Sequence, residues 1–534
     1  MARLLHRWLT WLADWRRFCA LLTIVFLVRG VTLVSILPPF EGWDEYQHLA
    51  YAVFLLEEDR PPLLDDAPQV PDSLYPHLRR FPHSADGAEQ LAPIGAKPYE
   101  QFWNSPAPTD AFAGRPSVHL YQAQHSAFYY RLVLPIVRLI YPTGDLLSLI
   151  AILRFLNLLF AAAALYLACR TIGWLTLDGP HRYLIALLAV YQPLFLLNSG
   201  RVAGDALGVM LGTAAICLLL MAQPRRLLAS SVAGGVILGL AILAKTVNLG
   251  LVPFALVAVA SAPWRLAGAR KRTAAGLVLF LVALAATTYP YLHFNITHFG
   301  LLAPLQEAVD NKAAGVTTGD LFRAAADIDW WYELSRRYLR HSLWVGGWSF
   351  LQIDRSLTRL HELFICLAMA GGLWMIPSPR RRCATLFARR GDAPLLILLA
   401  LSMAAALCYH MVQAQAHLGS VSTNVWYAAV SFPWLLCLFY RGLLALPGRW
   451  TAPVLAIFML VVFLATELRG TFGIMIPFYT QAPLGALTGS RLAQMHPAWL
   501  PPTLTAAALV IQFLLTCLAL AVLFNRLFRS RLQP

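Results

Sequence analysis

The chain has 534 residues, 58% of them hydrophobic and 13% charged, with a net charge of +15. A soluble globular chain carries about 25% charged residues, so the composition excludes that class and points to an integral membrane protein. Because long apolar runs separate the charges, the positive excess reads as a membrane topology signal, and no nucleic-acid partner is expected. The eight cysteines lie in or beside apolar stretches, apart from Cys383 in an arginine-rich link, which argues against a disulfide framework.

In chain order, the first apolar run ends near Leu37, and Arg3, Arg7, Arg16 and Arg17 precede or open it. No small-residue cleavage site follows, so it reads as an uncleaved signal anchor with a cytoplasmic N-terminus. Later apolar runs near 146–169, 182–199, 203–222, 229–244, 248–262, 275–294, 358–376, 393–411, 423–440, 451–467 and 502–525 bring the expected spans to twelve. Segment 119–141 is long enough to cross, but a crossing there would put every later arginine-rich link outside. It is therefore expected on the outer membrane face, with Gln124, Arg131 and Arg138 as a polar stripe at seven-residue spacing.

Two large extracytoplasmic segments follow from this topology, 38–145 and 295–356. The first holds thirteen of the 27 acidic residues between Glu41 and Asp110, so the acidic chemistry faces outward. The second contains Trp330, Trp331, Tyr332, Trp344 and Trp348, a cluster suited to a helix at headgroup level. No internal repeat divides the chain, which is expected to form one transmembrane domain over 1–534.

Four polar outliers fall on the outer side of the expected spans. Asp44 and Glu45 stand in PPFEGWDEYQH just after the first span, where a carboxylate pair meets lipid headgroups and solvent together; a helix cap is the bland alternative for Asp44. Asp205 lies in NSGRVAGDAL one helical turn after Arg201, and could likewise cap a helix. Lys245 is one of only four lysines, in a turn between two short spans, where a snorkelling anchor is the plain reading. Arg154, about 12 Å below the outer surface at 1.5 Å per residue, needs a partner, a cavity or an anionic ligand, as does Arg29 at similar depth; an ion pair between helices would satisfy either.

Carboxylates beside cations suit an acid or base working next to a phosphate. With no GxxxxGK[ST] loop and no GxGxxG fingerprint in the sequence, the phosphate is expected on a lipid and not on a nucleotide. His48, four residues after Asp44, could join it on a divalent metal, but no HExxH cluster supplies a third ligand. A hydrogen-bonding role for His48 is expected, with no cofactor and no metal site.

The segments WDEYQH, AQHSAFYYRL, RFLNLLFAAAALYLACR, NSGRVAGDAL, GLAILAKTVNLGLVPF, HFNITHFG and NVWYAAVSFPWLL run in order over most of the chain. In this order the sequence resembles the GT-C class of polyprenyl-phosphate-dependent membrane glycosyltransferases, and is similar to the lipid A aminoarabinose transferase and protein O-mannosyltransferase-like group. The resemblance implies an all-α polytopic bundle of about twelve transmembrane helices with outer-face interfacial helices. It also implies inverting transfer of a sugar from a polyprenyl-phosphate donor to a lipid, glycan or protein hydroxyl, in the bacterial inner membrane with the site facing outward. By resemblance Asp44 is the catalytic acidic residue with Glu45 beside it, Asp205 is the second acidic residue, and Lys245 meets the donor phosphate; Arg201 or Arg154, cations on the same membrane face as the acidic pair, are expected to meet it as well. His48, His125, Asn295 and Tyr427 are expected to bind substrate, His48 by its place one helical turn after Asp44. The sequence departs from the family where Ser126 and Ala127 follow His125, and where Trp426 precedes Tyr427 in place of an arginine. An O-antigen ligase or polymerase, or a lipid or solute transporter, are the competing readings; the first would place its long outer loop late, and the second would show repeat symmetry.

Overall fold

A computed structural model describes residues 9–105, 117–176, 179–266, 268–374, 386–389, 391–422 and 424–532. Arg3, Arg7, Asp110, Arg380, Arg381, Arg382, Cys383 and Arg390 lie outside them. Among the described residues the regular secondary structure is all helical, apart from isolated bridges such as Gln69 with His119. It is a polytopic membrane protein: eight helices are long and apolar enough to cross a bilayer, from Trp15–Val34 to Pro502–Leu527. Three shorter apolar helices, His181–Tyr191, Asp205–Leu220 and Thr246–Ala260, and the helix Arg355–Trp374 occupy the other expected spans. The third expected span breaks at Gln192, where Pro193 cannot continue the ladder, and resumes as Pro193–Ser199.

Two kinds of contact hold the bundle. Small residues let backbones approach: a Cβ on Gly371 would lie 2.0 Å from the Gly442 carbonyl oxygen and one on Gly442 would lie 1.9 Å from that of Ala368, so Arg355–Trp374 and Phe432–Ala445 cross on these glycines. Buried charge is paired. Arg29 is fully buried and holds Glu467 at 2.7 Å while donating to the Val190 carbonyl, so the ion pair between helices is what satisfies it.

The links sort to two ends of the bundle. At one end, Thr176 bridges Phe387, Arg265 pairs with Asp392 at 3.2 Å and Arg389 stacks on Trp174, so the links expected to share the cytoplasmic face do meet. At the other end, segments 38–145 and 295–356 form one cap: Glu41 accepts from the backbone amides of Trp348 and Ser349, each at 2.7 Å, and Tyr46 stacks on Trp348.

Three expectations need correction in this cap. Segment 119–141 is not one helix: Tyr121–Gln124 is a separate 3-10 turn, and His125 is extended before the helix Phe128–Ile140. Gln124 is therefore off the stripe of Arg131 and Arg138, and its side chain accepts from the Gln306 amide at 2.6 Å. Thirteen residues make a helix of about 20 Å, too short to cross. The tryptophan cluster also divides, because Trp331 is 86% exposed whereas Trp344 and Trp348 are buried against the cap. Finally, a third segment, 469–501, joins the cap: the Trp103 indole donates to the Tyr479 carbonyl at 2.8 Å, and Arg491 stacks on Trp103. Its π-helical stretch Arg469–Met475 runs on directly from the helix Thr451–Leu468.

Candidate active site

A cavity of about 1100 Å³ opens between the cap and the helix ends. Asp44, Tyr121, His125, Lys245 and Tyr427 line one part of it, and the side walls are apolar, with Val247, Leu249, Leu301 and Leu407 among them. An apolar enclosure with a few converging polar groups is the usual form of a ligand site.

Asp44 is set by its backbone. It precedes the helix Glu45–Glu58 in the left-handed region at φ 57°, a conformation that aspartate tolerates better than most residues, and its side chain makes no cap hydrogen bond. The side chain is free of capping and turns to Tyr121, whose hydroxyl donates to Oδ1 at 2.6 Å. Burial pushes the Asp44 pKa upward, while the Tyr121 hydrogen bond and the positive charges of Arg201 and Lys245 pull it down. A carboxylate with one hydrogen bond and no ion pair among the described residues retains lone pairs for a substrate proton.

Lys245 ends the helix Leu227–Ala244, where extended backbone turns its side chain toward the cavity. Its ammonium lies 3.2 Å from Asp205 Oδ2, 3.4 Å from His125 Nε2 and 5.6 Å from the centre of the Tyr427 ring. Burial and the neighbouring lysine charge hold the His125 pKa well below its ordinary value, so His125 stays neutral. Asp205 is buried, and the same oxygen is 3.2 Å from Arg201. Asp205 opens its helix with Gly204 in the cap position, so its carboxylate serves the two cations and not the helix end.

Glu45, Arg154 and Arg201 stand outside the cavity lining. Glu45 is fully buried, pairs with Arg154 at 2.6 Å, and accepts from the Phe40 and Val202 amides at 2.9 Å each. Arg154 also donates to the Leu37 and Pro38 carbonyls, so its guanidinium is spent on the chain leaving the first span. Arg201 donates to the Trp43 carbonyl at 2.7 Å and to the Asn198 side chain at 2.9 Å. These residues fix the loop that carries Asp44.

His48 hydrogen-bonds with the Tyr130 hydroxyl at 2.7 Å and stacks near His125, and burial pushes its pKa well down. Asn295 donates to the Leu302 carbonyl at 3.1 Å, thereby holding part of the cavity wall without lining it. Trp426 stacks on Trp43 at 4.3 Å, whereas Tyr427 does face the cavity. Among the described residues, no group of three or more histidine, cysteine, aspartate or glutamate side chains could hold a metal ion.

Sequence reasoning missed Tyr121, and also Glu307, Asp310, His410 and His417, which line the far part of the cavity. The last four carry an i,i+3 and an i,i+7 spacing that places each pair on one helical face. That pattern could have been read only by knowing that the two helices pack together.

No family model and no curated protein matches this sequence. Among solved structures, the chain is similar to the crystal structure of ArnT from Cupriavidus metallidurans bound to undecaprenyl phosphate, with 12% identity and a TM-score of 0.45 over 94% of this chain and 73% of that one.

Proposed function

We propose that the protein is a glycosyltransferase that moves a sugar from a polyprenyl phosphate to a hydroxyl of a lipid, glycan or protein acceptor, on the extracytoplasmic face of the bacterial inner membrane. The observation that carries this reading is that Asp44 and Lys245 line one cavity whose side walls are apolar. The apolar walls suit a prenyl chain, Lys245 suits its phosphate, and Asp44 suits the acceptor hydroxyl.

The reaction is a single displacement. The acceptor oxygen bonds to the anomeric carbon as its proton passes to the Asp44 carboxylate, and the bond from that carbon to the phosphate oxygen breaks. The electron pair leaves on the polyprenyl phosphate, whose new charge Lys245 stabilises. Attack from the face opposite the phosphate inverts the anomeric carbon. Asp205 aims Lys245 from 3.2 Å, and Arg201 holds the same Asp205 oxygen in place.

Asp44→Asn keeps the side-chain shape and removes the base. Sugar transfer by the purified variant should fall by a large part of the ~10²- to 10⁴-fold that general-base catalysis supplies, with binding of undecaprenyl phosphate retained. Transfer at the parent rate would remove Asp44 from the chemistry.

A further inference from the structure

The cavity has a second polar wall that the displacement leaves unused. Helix Gln306–Ala313 and the end of helix Asp392–Leu418 face each other there, joined by the Asn311 amide, which donates to the backbone and side-chain oxygens of Gln413 at 2.9 Å each. Flanking that joint are two pairs that both line the cavity, Glu307 with His410 and Asp310 with His417.

Both pairs are loose. The nitrogen-to-oxygen separations are 3.5 and 3.4 Å, and the side chains keep 17–33% of their surface open. Ser422 reaches Glu307 at 3.4 Å, and Gln306 reaches the two oxygens of Asp310 at 2.9 and 3.1 Å. A carboxylate offers about four acceptor sites, so each keeps capacity for another donor. The wall thus presents an acceptor and an imidazole side by side, twice.

A hydroxyl group is both donor and acceptor, and it fits between a carboxylate and an imidazole better than a pure cation or a pure anion does. An anion would meet two carboxylates. A cation would meet imidazoles already turned toward the same carboxylates. The wall is also close to the phosphate position, because the Tyr427 ring lies 5.6 Å from Lys245 Nζ and 5.7 Å from the His410 ring.

We infer that Glu307, Asp310, His410 and His417 form a subsite for a neutral polyhydroxylated ring, the sugar carried by the lipid phosphate. This rests on the glycosyltransferase reading and adds where the transferred sugar is recognised. The sugar's hydroxyls insert between each carboxylate and its imidazole, while Tyr427 separates sugar recognition from the phosphate at Lys245.

Binding is measured on the full-length protein in nanodiscs with three probes: undecaprenyl phosphate, undecaprenyl phosphate bearing glucose, and undecaprenyl phosphate bearing an amine-containing sugar. The parent should bind the glucose-bearing lipid more tightly than the bare lipid. Glu307→Gln and Asp310→Asn should each weaken the glucose-bearing lipid by about tenfold, the scale of a lost hydrogen bond to a charged group, and leave the bare lipid unchanged. The preference of the parent decides the matter even if a variant fails to fold. No preference in the parent, equal weakening of both lipids, or weakening confined to the amine-bearing lipid would each overturn the subsite. Failure of the parent to bind the bare lipid would instead count against the glycosyltransferase reading itself.

Discussion

Tyr121 donates a 2.6 Å hydrogen bond to Oδ1 of Asp44, joining two positions of the first cap segment in the same part of the cavity lining. This bond favours the ionised carboxylate, in opposition to the burial that disfavours it. The base is active when ionised, so activity rises with pH through the Asp44 pKa. The acid limb of kcat/KM should therefore lie above the ordinary carboxylate range, and Tyr121→Phe should move that limb to still higher pH. A limb unmoved by Tyr121→Phe would mean that Tyr121 does not act through Asp44.

Arg154 and Glu45 form a buried pair, and removing one partner leaves the other charge without compensation. Either Arg154→Met or Glu45→Gln should cost roughly 3–5 kcal/mol of stability, and Arg154→Met combined with Glu45→Leu should recover much of it. Thermal unfolding in detergent checks this. If Glu45→Gln unfolds like the parent and loses transfer, Glu45 takes part in the chemistry and not in the scaffold.

Glu41 couples the cap to pH. It is fully buried, and burial pushes its pKa up to about 7 against hydrogen bonds from Ser349 and Tyr99. The folded protein therefore holds this proton more tightly than the unfolded chain. The resulting stability is full below the ordinary value of 4.5 and is lost as pH rises through about 7. Unfolding temperatures between pH 5 and 8 should fall with rising pH, and Glu41→Gln should flatten that dependence.

Much of the architecture is legible in the sequence because a bilayer demands long apolar runs, and arginine-rich links mark one side of it. The runs expected at 146–169 and 502–525 are the helices Leu146–Leu175 and Pro502–Leu532. What the sequence hides is partner choice. Nothing local tells that Arg154 reaches Glu45, more than a hundred positions away, or that Trp348 packs into the cap to stack on Tyr46. The position of Asp44 was readable as a carboxylate next to a span, but its freedom from capping depends on a left-handed backbone angle that composition does not encode. Glu307 and His410 come from segments a hundred residues apart, and only the packing of their helices makes them neighbours.

The proposed reaction requires a lipid phosphate at Lys245, within the cavity that Asp44 lines. A cryo-EM structure of the protein with undecaprenyl phosphate tests it most directly. The phosphate is predicted within hydrogen-bond distance of Lys245 Nζ, with the prenyl chain along Val247, Leu249 and Leu407 and the Asp44 carboxylate open to the same space. A phosphate bound elsewhere, with Lys245 still closed on Asp205 and the cavity holding no lipid, would contradict it.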